Sequence, residues 1–240
     1  MHKIMIGTPS YGGVVTIEYL KSIIRLHEYN VQYTIALLSN PLLMQVRNDM
    51  FTSFVSDKMK DYSHLFFLDA DIGIQPEDIV KLIEHDKPLI GAVFPKKVKP
   101  AGGEPIWNAG LVIEDCEDGT AKMGHIGAGC MCIRRDLALE IAKYAEDNKM
   151  MYVNNIEIPN EKPIDTYDVF RVGLINNIYA YEDYYFCHLV RNMGYDVYAD
   201  YTINLKHVGS YVYEVDDEGK IRSDAELRNL QWRYPSFGAK

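Results

Sequence analysis

The sequence predicts an α/β protein whose first hundred residues build a parallel, Rossmann-like sheet. Three observations carry this expectation. Short apolar runs alternate with amphipathic stretches and short connections, the signature of successive βαβ units. The run His64-Leu65-Phe66-Phe67-Leu68 stops on Asp69-Ala70-Asp71, as a buried strand does where an open sheet meets its ligand. Beyond residue 95 the alternation gives way to a basic, Pro/Gly-rich loop and less regular strands.

In chain order, Lys3–Ile6 is a short strand stopped by Gly7-Thr8-Pro9-Ser10-Tyr11-Gly12-Gly13. Val14 to Tyr29 carries apolar residues at 17, 20 and 24 and at 23 and 26, the spacing of a helix face. Val31–Leu38 is rich in strand formers. Asn40-Pro41 offers an N-cap and a first-turn proline for a helix reaching about Lys60. His64–Leu68 is the strand that carries the two acids. Pro76-Glu77-Asp78 opens a helix with acids in its first turn, where the macrodipole favours them, and Pro88–Phe94 is the next strand.

After the basic loop at 95–105, Ile106–Ile113 and Ile126–Ile133 read as strands flanking an acidic turn at Asp115–Gly119. Asp136–Ala145 is a capped helix. Residues 150–180 show no assignable element, and so long a loop inside a compact domain points either to function or to structure that the pattern hides. Glu182–Met193 is a helix ended by Gly194, followed by strand-like Asp196–Ala199 and Thr202–Lys206. No repeat and no linker divides the chain, so residues 1–240 are read as one domain.

Composition sets the class. The chain is 48% apolar, 25% charged and 12% aromatic, ordinary for a globular protein able to bury a sizeable core. A net charge of −9 argues against a broad nucleic-acid surface, which needs a basic face. It leaves room for a phosphate ligand held by one cation and a few local basic residues. Met1-His2-Lys3 leads directly into an apolar run too short for a signal peptide, and no stretch approaches a membrane span. Cys116, Cys130, Cys132 and Cys187 match neither a zinc-ribbon nor a disulfide framework. Cys130 and Cys132 share one face of a strand, and all four are read as reduced packing residues of a cytoplasmic protein.

Five clusters hold candidate chemistry. Asp69 and Asp71 repel each other unless a cation lies between them or both are solvated. Mg²⁺ binds through one or two carboxylates plus substrate phosphates, so the motif suggests a metal-bound phosphate substrate, with a solvated turn as its bland rival. The Thr8-Pro9-Ser10-Tyr11 loop can present hydroxyls and N–H groups to a nucleotide, although neither dinucleotide nor P-loop glycine spacing is present. Arg47, beside Asn48 and among Leu43, Val46, Met50 and Phe54, either snorkels to water or reaches a phosphate; the sequence favours snorkelling. Glu182 and Asp183 open a helix, where acids are dipole partners by default and a proton acceptor in the functional reading. His207 follows a strand, where most lone histidines are structural; its imidazole would suit a Mn²⁺ site that already holds carboxylates.

Taken in order, these clusters resemble a nucleotide-sugar glycosyltransferase of the GT-A fold, similar to inverting family 2 and its small phage- and virus-encoded relatives. The residues that carry the likeness are Ile6 to Tyr11, Arg47-Asn48, Phe66 to Gly73, Gly127 to Arg135, Tyr181 to Cys187, Gly194-Tyr195 and Ile203 to Gly209. The resemblance implies a mostly parallel sheet flanked by helices, with a nucleotide-sugar half (1–100) and a smaller mixed acceptor and catalytic half (101–240). It places Thr8, Pro9, Ser10, Tyr11, Arg47, Asn48, Asp69, Ala70, Asp71 and Gly127 around the donor. By the same resemblance, Asp69, Asp71 and His207 would hold Mn²⁺ or Mg²⁺, and Asp183 would be the base, with Glu182 as its alternative. A UDP-sugar is the favoured donor and a GDP-sugar the second; the acceptor is a glycan or another hydroxyl compound. The chain departs from the membrane-bound synthases, since Gln231-Trp232-Arg233 does not reproduce their Gln-x-x-Arg-Trp motif.

Three rivals share parts of this pattern. A haloacid-dehalogenase-type phosphotransferase also sets Asp-x-Asp after a strand, but near its N-terminus and followed by Thr or Val, not Ile72-Gly73. A non-catalytic nucleotide-sugar-binding module shares every binding residue and differs only at Glu182-Asp183. A sugar nucleotidylyltransferase needs a Gly-rich N-terminal loop with a following arginine, absent here.

Overall fold

The structure is a computed structural model describing residues 2–98, 105–154 and 163–209, with the backbone of 212–215 and 221–223. Its first part runs β1 (His2–Pro9), α1 (Ile17–Ile24), β2 (Val31–Leu38), α2 (Leu43–Val55), β3 (His64–Leu68), β4 (Ile72–Gly73), α3 (Pro76–Glu84) and β5 (Leu89–Ala92). Then come β6 (Val112–Asp115), β7 (Thr120–Met123), β8 (Cys130–Arg134), α4 (Arg135–Asp147), β9 (Met151–Asn154) and β10 (Ile164–Tyr167). The chain continues with β11 (Gly173–Ile175), β12 (Ile178–Ala180), α5 (Glu182–Asn192), β13 (Val197–Asp200), β14 (Lys206–Val208), β15 (Val212–Val215) and β16 (Ile221–Ser223).

Eight strands form the central sheet in the order β2-β1-β3-β8-β5-β13-β7-β6. β1 pairs in parallel with β2 and β3, and β5 with β13. β8 runs antiparallel between β3 and β5, and β7 antiparallel between β13 and β6. This is the mixed α/β architecture of a Rossmann-like GT-A fold. The parallel direction expected of the first hundred residues holds, but β3 and β5 are not neighbours. The apolar Cys130–Arg134 strand inserts between them, so strands from both halves of the sequence build one sheet.

Side-chain alternation explains the two-sided core. Met5, Leu65, Phe67, Met131 and Ile133 point to the face covered by α2, α4 and α5, where Met50, Phe51, Phe54, Ile141, Phe186 and Val190 pack. Their neighbours Ile4, Ile6, Phe66, Leu68, Cys130 and Cys132 point to the face covered by α1 and α3. Cys130 and Cys132 thus share a face, and burial pushes the Cys130 thiol up to about 12 and the Cys132 thiol higher. Cys187 is also buried and Cys116 is partly buried, and all four are free thiols. Among the described residues no helix is long and apolar enough to cross a membrane.

Several expected elements are corrected by tertiary contacts. The helix expected over Val14–Tyr29 is only Ile17–Ile24. Residues 14–16 stay extended, so that Thr16 binds the Ala70 carbonyl through its N–H (2.8 Å) and hydroxyl (3.1 Å) while capping α1. α2 starts at Leu43 rather than Asn40, because Asn40 Oδ1 accepts the Leu42 N–H (2.8 Å) in a turn, and it ends at Val55 rather than Lys60. In place of the strand expected at Ile106–Ile113, only Trp107 and Ala109 make isolated bridges before β6. The acidic turn joins β6 to β7, and the expected second strand contracts to Cys130–Arg134.

The unassigned 150–180 stretch holds two hairpins, β9–β10 and β11–β12. The second turns through Asn176 and Asn177 with φ of 51° and 65°, the left-handed pair that a two-residue type I′ turn demands. The strand expected at Thr202–Lys206 lies later, at Lys206–Val208, where His207 pairs with Ile72 of β4.

His64 opens β3 as a buried imidazole whose pKa is lowered to about 4, first by burial and then by His2 and Arg134. The unfolded chain therefore takes up a proton from about pH 6.5 downward, and the folded state only near pH 4. Stability from this residue is full above pH 6.5 and falls by about 3 kcal/mol as pH drops to 4. Urea unfolding at pH 7 and pH 4.5 should show a clear loss in the wild type and a smaller one in His64→Leu.

Candidate functional site

The carboxyl ends of β1, β2 and β3 surround a cavity of about 360 Å³. Its wall brings together Pro9, the last residue of β1, and Ser10 and Tyr11 just after it with Asp69, Ala70 and Asp71 from the tip of β3. Val14, Val15 and Thr16, which precede α1, and Asn40, Pro41 and Leu43 beyond β2 complete it. None of this second group was read as a site residue from the sequence; the apolar Val14-Val15 pair directly after Gly12-Gly13 was the available signal, and both side chains prove exposed. Ser10 is buried and its hydroxyl donates to the Val14 carbonyl (2.8 Å), shaping the loop, while Tyr11 stands 81% exposed at the rim. Thr8 lies deeper, fully buried and hydrogen-bonded to the Tyr19 hydroxyl (2.7 Å), and does not line the cavity.

Arg47 does not snorkel. It is 1% exposed, and its guanidinium donates from Nη2 to Asp69 Oδ1 (2.9 Å) and from Nη1 to the Ala128 carbonyl (3.2 Å). The group lies 5.2 Å from the Phe67 ring centroid, and its Nε faces Glu182 Oε1 at 3.5 Å without a hydrogen bond. Burial opposes this charge, but Asp69 and Glu182 outweigh it and hold the pKa above the usual arginine value. One buried cation thus ties the acidic strand tip to the first turn of α5.

On the other side of that link, burial raises the Glu182 pKa, Arg47 lowers it, and the Asp183 charge raises it again. Asp183 accepts the N–H of Tyr184 (2.7 Å) at the start of α5. Tyr184 in turn packs edge-on against His125, with ring centroids 4.7 Å apart. The exposed rings of Tyr179 and Tyr181 stand just before this turn, 5.4 Å apart.

Asp71 and His207 are neighbours because β14 pairs with β4 and the Val208 N–H binds the Asp71 carbonyl (2.8 Å). His207 Nε2 lies 3.8 Å from Asp71 Oδ1, while Nδ1 bonds the Pro95 carbonyl at 2.8 Å. Only a protonated Nδ1 can donate to a carbonyl, so in the neutral ring Nε2 carries the lone pair on the Asp71 side. Burial lowers the His207 pKa and favours that neutral form. The ammonium of Lys97 pairs with Asp71 Oδ2. This donor set, one carboxylate and one oriented imidazole beside an ammonium, suits a divalent ion that takes its remaining ligands from phosphate and water. Among the described residues no three His, Cys, Asp or Glu side chains are grouped to hold an ion by themselves.

Besides Thr8, two more residues expected around the donor, Asn48 and Gly127, lie away from the cavity, and Arg47 reaches it only through Asp69. Asn48 is buried, donating to Asp168 Oδ1 (3.2 Å) and the Phe170 carbonyl (3.3 Å) and accepting from the N–H groups of Val169 (3.1 Å) and Phe170 (2.8 Å). Its full amide capacity holds the 168–170 segment on α2. Gly127 packs against Asn108, whose Nδ2 would stand 2.3 Å from an added Cβ. Gly129 is the glycine beside the acids: its carbonyl accepts the Asp69 N–H (2.9 Å), and a Cβ there would stand 3.0 Å from Asp69 Oδ2.

No family model and no curated protein matches the chain. Among solved structures it is similar to A197 from STIV, with a TM-score of 0.54 and 16% identity over 93% of this chain and 94% of that one; this likeness shows a shared fold. A glycosyltransferase involved in the glycosylation of the major capsid of PBCV-1 aligns at TM-score 0.33, with 17% identity over 66% of this chain and 69% of that one. 4-Diphosphocytidyl-2C-methyl-D-erythritolsynthase from Anaerococcus prevotii aligns at 0.35, with 8% identity over 66% and 80%. Both of these superpositions are too loose to bear on fold or function.

Removing one partner of a buried ion pair strands the others. Arg47→Met should therefore cost about 3–5 kcal/mol in a denaturant titration. Adding Asp69→Asn to it should cost much less than the two single losses summed.

Proposed function

We propose that this chain is a metal-dependent glycosyltransferase that moves a sugar from a nucleoside diphosphate to an acceptor hydroxyl with inversion. The observation that carries this reading is the single cavity at the strand ends, shared by the Pro9–Tyr11 loop and Asp69–Asp71, with His207 Nε2 facing Asp71. That is where open α/β sheets receive nucleotides. The nucleoside lies against Tyr11, Val14 and Leu43, and the diphosphate reaches toward Asp71. A bound Mn²⁺ or Mg²⁺ ion offsets the charge that gathers on the departing diphosphate, and Asp71 and His207 would hold it, with Asp69 beside them.

Asp69 is oriented by Arg47 and Gly129, so its position does not depend on the donor. On the α5 side, Asp183 accepts the proton of the acceptor hydroxyl as that oxygen bonds to the anomeric carbon. The bond from the anomeric carbon to the diphosphate oxygen breaks on the opposite face, which inverts the centre. Glu182 faces Arg47 and serves as its counter-ion, which leaves Asp183 as the base. The acceptor, a glycan or another hydroxyl compound, meets Tyr179 and Tyr181, whose exposed rings suit the apolar face of a sugar. A UDP-sugar is the first donor to test and a GDP-sugar the second.

Thermal unfolding with UDP-, GDP-, CMP- and dTDP-sugars, with and without Mn²⁺, tests donor and metal together. The reading requires a rise in melting temperature that needs both components; no rise with any sugar nucleotide and Mn²⁺ together, or a rise that is the same with and without Mn²⁺, would sink it. With the donor so identified, Asp183→Asn should lower turnover about 10²–10⁴-fold while the donor-dependent rise persists. Equal turnover in Asp183→Asn and wild type would remove Asp183 as base.

A further inference from the structure

The mechanism leaves Lys97 without a task. Its ammonium rests on Asp71 Oδ2, the carboxylate whose other oxygen faces His207 Nε2 at 3.8 Å. The segment that carries it also orients the imidazole, since the Pro95 carbonyl accepts His207 Nδ1–H. That segment is rooted independently: the Lys96 N–H binds the Ile106 carbonyl (2.7 Å), and Pro95 bridges Trp107. Asp71 is held by its own backbone through Val208. The two prospective ligands therefore keep their places without Lys97, which is the movable member.

Both side chains of the pair are partly open to water, 33% for Lys97 and 36% for Asp71, where an ion pair is weak and readily exchanged. A lysine is a point charge on a flexible four-carbon stem, suited to pass between anionic partners. A divalent ion arriving alone would meet an ammonium already on its carboxylate. A metal-bound diphosphate brings new oxygens for that ammonium to move to.

We propose that Lys97 is a tethered counter-cation that occupies Asp71 in the donor-free site and transfers to the donor's diphosphate when donor and divalent ion enter together. This deepens the glycosyltransferase reading and rests on its assignment of Asp71 and His207. In a chain of net charge −9, the device keeps the acidic tip neutralised between turnovers and makes ion binding conditional on the nucleotide.

The test is Mn²⁺ titration followed by the loss of the free-ion electron paramagnetic resonance signal, in wild type, Lys97→Met and Lys97→Gln, first alone and then with UDP or GDP. The proposal expects Mn²⁺ alone to bind both variants at least ten-fold more tightly than wild type, and the nucleotide to enhance that binding less. Melting temperatures close to wild type show that the variants fold. Adding Asp71→Asn to Lys97→Met must abolish the gain; a gain that survives it places the ion elsewhere and overturns the proposal. Equal Mn²⁺ affinity in wild type and variants overturns the role of Lys97 and leaves the glycosyltransferase reading standing. No Mn²⁺ binding in any form, with or without nucleotide, removes the metal site itself and Lys97's role with it.

Discussion

A buried guanidinium shared by two acids is the constraint on which the candidate site depends. Arg47 contacts Asp69 at the tip of β3 and faces Glu182 in the first turn of α5, and a carbonyl and an aromatic ring complete its surroundings. A charge taken out of water is tolerated only when its partners are close and well placed. The same condition holds in reverse, because Glu182 is itself mostly buried and needs that cation. Neither the strand tip nor the helix start can shift without exposing an uncompensated charge. A residue on α2, pointing away from solvent, thereby sets the separation between the acidic loop and the acids of α5.

The rest of the architecture supplies the two sides of that link. Parallel strands β1, β2 and β3 end together, so their loops converge on one cavity. The insertion of β8 beside β3 brings Gly129 against Asp69, where a larger residue would crowd the carboxylate. A small separate sheet, in which β14 meets the two-residue β4, carries an imidazole from late in the chain to the second acid. Asn48, one residue from Arg47, fastens the 168–170 segment to α2 with its whole amide. Consecutive residues of one helix thus do different work: one balances charge, the other closes hydrogen bonds.

Charge balance is a theme of the site as a whole. The two acids that line the cavity are each matched by a cation. Asp69 has Arg47, buried and permanent. Asp71 has Lys97, partly open to water. The contrast follows from exposure: a desolvated pair is rigid because separation is costly, whereas a solvated pair can exchange partners.

The sequence by itself determined the local structure and the direction of the side chains. The alternation in His64–Leu68 and in Ile4–Ile6 already sorts residues onto the two faces of the sheet, and Pro76 marks the start of α3 to the residue. The Asp-x-Asp at the end of a buried strand located the cavity, and its loop neighbours Pro9–Tyr11 were legible too. The Asn176-Asn177 turn was readable in principle, since paired asparagines between strand formers suit left-handed backbone. Tertiary structure decided the partners. Arg47 among apolar neighbours looks the same whether it reaches water or a buried carboxylate, because its partners lie far along the chain. The approach of His207 to Asp71, the insertion of β8 and the engagement of Asn48 are likewise long-range pairings. Periodicity records which face of an element is buried; which polar group meets which depends on how distant segments are brought together, and no local pattern encodes that.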